Sequence, residues 1–239
     1  MFPIGDENVG QRIRPYVNWS LVAINLLVFL YQSTLDQRAL RDVILTWGTV
    51  PDEIADGRDV FALVTCLFLH GGWLHILGNM LFLWVFGDNI EDTMGHVRYG
   101  AFYLLCGVGA SLLQVLVDTD SRVPLVGASG AISGVLAAYL ILYPRGKIRT
   151  LLFVGIPFVV LIPAYLQIGL WVLMQFVDGV LSLGVRTAET GGVAYFAHIG
   201  GFLAGAALVW PLRDRAAQER QLAARAGNSA FQRTPVRRR

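Results

Sequence analysis

Six apolar stretches, each close to the length that crosses a bilayer, constrain this chain more than any other feature. A spanning helix needs about 20 mostly apolar residues, because in lipid every backbone polar group must be satisfied within the element itself. The stretches run from Tyr16 to Leu35, Leu63 to Asn89, Tyr99 to Val117, Gly127 to Tyr143, Pro163 to Leu181 and Val193 to Trp210. Pro144 ends the fourth and Pro211 the sixth. The fifth is the trailing part of a longer run, Leu151 to Val177, broken by Pro157 and Pro163. Pro163 suits the first turn of a span, where its missing N–H has no intrahelical partner. That leaves Leu151 to Ile162 as an approach segment at or in the membrane interface. The fold class expected is an all-α membrane protein, a bundle of six transmembrane helices. It comprises an N-terminal segment 1–15, a membrane domain 16–211 and a basic tail 212–239.

Composition agrees. Only 15% of the residues are charged and 55% are hydrophobic, against about 25% charged in a soluble domain. Many of the 26 glycines lie inside the apolar runs, where they allow close helix packing. A net charge of +2 points to no nucleic-acid partner. Cys66 and Cys106 are isolated thiols in apolar stretches without a CxxC spacing, and read as small packing residues. Met1 to Asn18 is polar and lacks the basic n-region and cleavage site of a secretory signal. The first apolar stretch is therefore expected to remain as a span. The lack of a long presequence favours a bacterial plasma membrane over a mitochondrial one.

Basic residues orient such a bundle. With six spans both termini share one side, and that side collects Arg12, Arg14, Arg98, Arg145, Lys147, Arg149 and the arginine-rich tail beginning at Arg213. The opposite side holds only Arg38, Arg41, Arg58, Arg122 and Arg186. Both termini are expected to be cytoplasmic. The loop 34–60 has room for short structure of its own, and the tail to about Ala226 suits a surface helix, with Asn228 to Arg239 disordered.

Within this frame the polar residues stand out. His75 and Asn79, Ser129, and His198 lie near the starts of the second, fourth and sixth stretches, which all begin on the non-cytoplasmic side. At about 1.5 Å per residue they share a depth of roughly 5–15 Å below that surface. Ionisable groups inside a membrane mark function by default. Ser129 follows Gly127 and precedes Gly130 at a helix start, where unpartnered N–H groups could hold an oxyanion. His198 is the natural base for its hydroxyl. His75 and Asn79, four apart, share a helix face, and the amide of Asn79 donates two hydrogen bonds without carrying charge. Blander roles exist for each: a serine bonded to the preceding turn, a packing histidine, an interhelical amide clamp. Gly130-x-x-x-Gly134 and Gly201-x-x-x-Gly205 offer close-approach faces that would bring Ser129 and His198 together.

No acidic residue lies in the apolar runs around Ser129 and His198, so the pair would be a dyad rather than a triad. His70 reads as structural or solvated, and Glu91 and Asp92 as anchoring charges at the far end of the second stretch. No HExxH pattern supports a metal, and no cofactor is expected.

His75-Ile-Leu-Gly-Asn79, Gly127-Ala-Ser129-Gly130 and Ala197-His198-Ile-Gly-Gly201 together resemble the signature motifs of the rhomboid intramembrane serine proteases, in order and in spacing. The resemblance covers about Tyr16 to Pro211. It implies a rhomboid-like bundle with Ser129 as nucleophile and His198 as general base. Asn79, His75 and the Ser129 N–H would then stabilise the oxyanion. Gly87-x-x-x-Glu91-x-x-x-Gly95 looks like the family's turn after the second span, and the fifth span with the loop Gly184 to Ala194 like its mobile gate and cap. Two departures stand out. Phe61-Ala62 occupies the place of a Trp-Arg pair common in the first loop, and Ser133 the place of an aromatic residue one turn after the serine. The motifs therefore leave the group that orients His198 unidentified.

The expected function is an endopeptidase embedded in the lipid bilayer. Its substrates would be transmembrane protein segments, cut near the non-cytoplasmic face through an acyl-enzyme. A non-cleaving rhomboid-like binder of membrane segments and a small transporter are the alternatives. No internal repeat supports a transporter, and no signal specifies the oligomeric state.

Overall fold

The computed structural model describes residues 2–7, 10–182 and 194–233. Strand β1 (Phe2–Asp6) is followed by helix α1 (Tyr16–Thr34), and two helices, α2 (Gln37–Trp47) and α3 (Pro51–Ala55), fill the first long loop. Helix α4 (Ala62–Thr65) runs into a 3-10 turn, Cys66–Phe68, ahead of α5 (Trp73–Met94) and α6 (His96–Val117). Helix α7 (Ser129–Leu142), strands β2 (Lys147–Val154) and β3 (Ile156–Pro163), and helices α8 (Ala164–Ser182), α9 (Tyr195–Leu212) and α10 (Arg215–Arg233) complete the described chain.

Among the described residues, four helices are long and apolar enough to cross a membrane: Tyr16–Thr34, His96–Val117, Ala164–Leu181 and Tyr195–Leu212. The second expected span is broken. Ala62–Phe68 and Trp73–Met94 meet at a bend of 96° around Leu69 to Gly72. The fourth is short. Its 14 residues rise about 21 Å at 1.5 Å each, less than the roughly 30 Å hydrocarbon core. This shortness is tolerable because every residue from Gly130 to Tyr139 is buried by protein, and irregular backbone beyond such a helix need not meet lipid. By length and composition, then, the described residues hold four spans, or five with the bent pair taken as one, beside the shorter apolar helix Ser129–Leu142. Pro211 lies inside α9, which ends one residue later at Leu212.

Helix α1 shows how such an element is held. Its buried face carries Asn18, Asn25 and Gln32 with Leu21 and Phe29 between them, while Leu27 and Leu30 point outward at 67% and 50% exposure. The first N–H groups of a helix lack partners within it. Here the Glu91 carboxylate accepts from Val17 N and Asn18 N at 2.9 and 2.7 Å. Glu91 and Asp92 anchor chain at the end of α5 remote from Ser129, with Asp92 accepting from Arg12 N and Ile13 N. Gly95, at φ +78, makes the reversal from α5 to α6.

Two features depart from expectation. Leu151 to Ile162 belongs to an antiparallel sheet of order β1-β2-β3, in which β2 and β3 form a hairpin with Gly155 (φ +78) at the reversal. The other described elements are helices, and the fold is a mostly helical membrane bundle with this one small sheet among the described residues. The run Ile156 to Ile162 is rich in β-branched and aromatic residues and carries a proline near its start, a composition that favours strand over helix. Helix α10 extends to Arg233, through residues expected to be disordered. It is also docked rather than lying free on the surface: Ala217, Gln221 and Arg225, spaced four apart, are buried along one face.

Candidate active site

The first residues of α5, α7 and α9 converge at the end of the bundle opposite the termini. Two pairs of glycines bring α7 and α9 together. A Cβ on Gly201 would overlap the Gly130 carbonyl, and one on Gly205 would overlap the Gly134 backbone. With the helices this close, His198 Nε2 sits 2.7 Å from Ser129 Oγ. The start of α9 is held by Gln114, whose Oε1 accepts from Ala197 N at 3.2 Å.

His75 and Asn79 line the same cleft, about 670 Å³ in volume, as Ser129 and His198. Gly71 N–H donates to His75 Nδ1 at 3.3 Å. A neutral imidazole accepting on Nδ1 carries its proton on Nε2, so His75 presents an N–H from its far edge. Gly127 is needed here twice over. It holds φ +127, a value side chains rarely adopt, and a Cβ on it would lie 2.8 Å from His75 Nε2 and 3.6 Å from Asn79 Nδ2. Asn79 is 8% exposed, and its Nδ2 has no hydrogen-bond partner among the described residues. Two side-chain donors, His75 Nε2–H and Asn79 Nδ2, therefore border the cleft that holds Ser129 Oγ.

The other sequence candidates lie apart from this chemistry. His70 is buried. Its ring stacks edge-on to His75 at 5.1 Å, and its backbone is clamped by Gln32, which accepts from His70 N and donates to His70 O. Its role is structural rather than solvated. Ser133 bonds the preceding turn, its Oγ donating to Ser129 O at 2.7 Å. Where the family often has Trp-Arg, the first loop is pinned by Phe61 against the Trp47 ring at 5.6 Å and by the Thr65 hydroxyl donating to Trp47 O. The cap expected at Gly184 to Ala194 falls, apart from Ala194, outside the described residues.

Sequence reasoning missed Gln175 and Trp171. Gln175 Oε1 lies 2.6 Å from His198 Nδ1, and the Trp171 ring packs over the imidazole at 5.7 Å between centroids. The two are four apart on α8 and so share a face. The available signal was a lone amide in the middle of the fifth apolar stretch.

This arrangement sets a serine hydroxyl against an imidazole at a buried helix start, with amide and imidazole donors bordering the same cleft. The Rhomboid domain family matches residues 57–215, and the chain belongs to the rhomboid family. It is a multi-pass integral membrane protein of a family generally made up of intramembrane serine proteases. Among its relatives, RHOMBOID-like protein 4 of Arabidopsis thaliana is 35% identical over 74% of this chain and 41% of its own length. Rhomboid-like protein 11, chloroplastic, of the same plant is 29% identical over 87% of this chain and 69% of its own. Rhomboid protease GluP of Bacillus subtilis is 27% identical over 85% of this chain and 37% of its own. The chain spans between 30% and 44% of the length of several curated relatives it matches.

Proposed function

We propose that this protein is a serine endopeptidase that cleaves the transmembrane segments of other membrane proteins by a Ser129–His198 dyad. The 2.7 Å approach of Ser129 Oγ to His198 Nε2 carries this reading. His198 Nε2 takes the hydroxyl proton as Ser129 Oγ attacks the scissile carbonyl. The tetrahedral oxyanion is held by the Ser129 N–H, the amide of Asn79 and the Nε2–H of His75. His198 then protonates the leaving amine, and water, activated by the same imidazole, hydrolyses the acyl-enzyme. A helical substrate hides its carbonyls in i to i−4 bonds, so segments that unwind readily are the preferred class. The basic bias of the loops supports a topology with both termini in the cytoplasm and the site near the opposite face, in six crossings of what we take to be a bacterial plasma membrane.

The test uses the purified protein in detergent with a single-span substrate, followed by mass spectrometry. The expected result is cleavage near the non-cytoplasmic boundary of the substrate, abolished in Ser129→Ala. Cleavage that persists in this variant would overturn the dyad. Retention of a bound substrate without a cut, by the wild-type protein across several substrates, would favour a non-cleaving binder.

A further inference from the structure

The rhomboid motifs supply a nucleophile, a base and oxyanion donors but nothing that fixes which nitrogen of the base carries the proton. For Ser129 Oγ to give its proton to His198, Nε2 must be the bare nitrogen, so the neutral ring must hold its proton on Nδ1. A ring with no acceptor at Nδ1 is free to protonate Nε2 instead. It would then donate to Ser129 and could not act as base. Gln175 Oε1 faces Nδ1 at 2.6 Å, and an amide oxygen only accepts. Trp171, one turn earlier on the same face of α8, lies against the ring plane at 40° and limits its rotation. Ser133 bonds its own helix at Ser129 O. Both restraints on His198 therefore come from α8, a helix that carries neither the nucleophile nor the base.

We infer that Gln175 is the positioning residue that holds His198 in its Nδ1–H tautomer, which makes the competence of the base conditional on α8 being docked against α9. This rests on the serine-protease reading of the site. The amide serves in place of a carboxylate, and its neutrality suits the location, because an ionised carboxylate buried beside the ring is costly to desolvate. As charge develops on the imidazole during attack, the Oε1 dipole stabilises it without a permanent charge in the bundle. An apolar crevice walled by Phe82, Phe86, Trp171 and Met174 lies beside the same turn of α8. A substrate helix that wedges this crevice open far enough to shift Gln175 disarms the base until α8 returns. Access and chemistry are thereby coupled through one hydrogen bond.

Two measurements on the full chain in detergent test the inference. In the first, a fluorophosphonate probe reads the rate of Ser129 labelling across pH in the wild type, Gln175→Leu and Gln175→Glu, with Ser129→Ala as the blank. Gln175→Leu keeps the side-chain volume and removes the acceptor, so labelling slows at least about tenfold while the melting temperature holds. Gln175→Glu restores the acceptor and recovers labelling. Its charge favours the protonated imidazole, so the acidic limb of the profile moves to higher pH. Labelling of Gln175→Leu within twofold of wild type would overturn the inference, as would equal losses in both variants with no movement of the pH profile. In the second, 15N NMR of the histidine side chains reads the tautomer directly and needs no activity. The Nδ1–H form at His198 in the wild type supports the inference, and the Nε2–H form sinks it. A wild-type protein that shows the Nδ1–H form yet never labels at Ser129 keeps the assignment of Gln175 and refutes the protease reading, so the two fail separately.

Discussion

Asn79 presents a buried amide to the cleft with Nδ2 left without a protein partner among the described residues, a cost a membrane bundle bears where a ligand supplies the missing acceptor. The oxyanion of the acyl transfer is that acceptor in the proposed mechanism. Replacing Asn79 with Ala should lower kcat by about 10²–10³-fold with little change in KM, measured on a cleavable single-span substrate. A large rise in KM at constant kcat would assign Asn79 to substrate binding instead. Gly127 constrains the same site through its backbone. Gly127→Ala places a methyl group 2.8 Å from His75 Nε2 at a strained φ and should abolish activity, as followed by the same assay. The sequence sets Gly127 two residues before Ser129, but does not reveal that His75 packs against it.

At the scale of elements, the α7–α9 interface decides whether the nucleophile meets its base. Gly201→Val forces Cβ and γ-methyl groups into the Gly130 carbonyl, an overpacking that should cost about 1–3 kcal/mol and lower the melting temperature in detergent. Gly169 in α8 is the contrast, with nothing within 4 Å of a Cβ built there. Gly169→Ala should be neutral or stabilise by up to about 1 kcal/mol, because alanine loses less backbone freedom in a helix than glycine. Equal destabilisation by both substitutions would count against the close contact of α7 and α9. The spacing Gly201-x-x-x-Gly205 made the face readable in sequence. The β2–β3 hairpin was not readable, because a continuous apolar run bounded by prolines is compatible with strand or interfacial helix until its partner β1 is known.

Across the whole molecule, the two ends of the described chain close on each other at the face remote from the cleft. Tyr139 OH and Asn89 Nδ2 donate to Asp6 Oδ2 at 2.6 and 2.9 Å, and Arg225 pairs with the same oxygen at 3.5 Å. Arg225 also donates to Asn89 Oδ1 and lies over the Tyr143 ring, while Arg220 and Gln221 donate to Asp92. Burial pushes the Asp6 carboxyl above its ordinary value, while the bond from Tyr139 and the Arg225 charge pull it down. A raised carboxyl contributes stability that is fully present below the ordinary carboxylate range and is lost as pH rises through the raised value. Removing Arg225 takes away an opposing cation, so Arg225→Ala should destabilise by about 3–5 kcal/mol near pH 7 and by less at an acidic pH, because a protonated Asp6 carboxyl no longer needs the cation. Denaturation at the two pH values checks this, and a cost that does not change with pH would show that Asp6 and Arg225 are not coupled.

Local pattern determined much of this protein. Apolar length marked the membrane segments, glycine spacing marked the face between α7 and α9, and isolated polar residues in apolar runs marked Ser129, His198, His75 and Asn79. These signals are readable because lipid punishes an unpaired polar group wherever it stands. Only the tertiary structure decided what meets what. Gln175 lies 23 residues from His198 in sequence and faces it at Nδ1. β1 pairs with a distant β2, Phe2 opposite Leu151 and Asp6 opposite Ile148. α10 docks through Gln221 and Arg225, polar residues that a hydrophobic pattern assigns to solvent. Each of these depends on a partner distant in sequence, and periodicity within one segment carries no information about that partner.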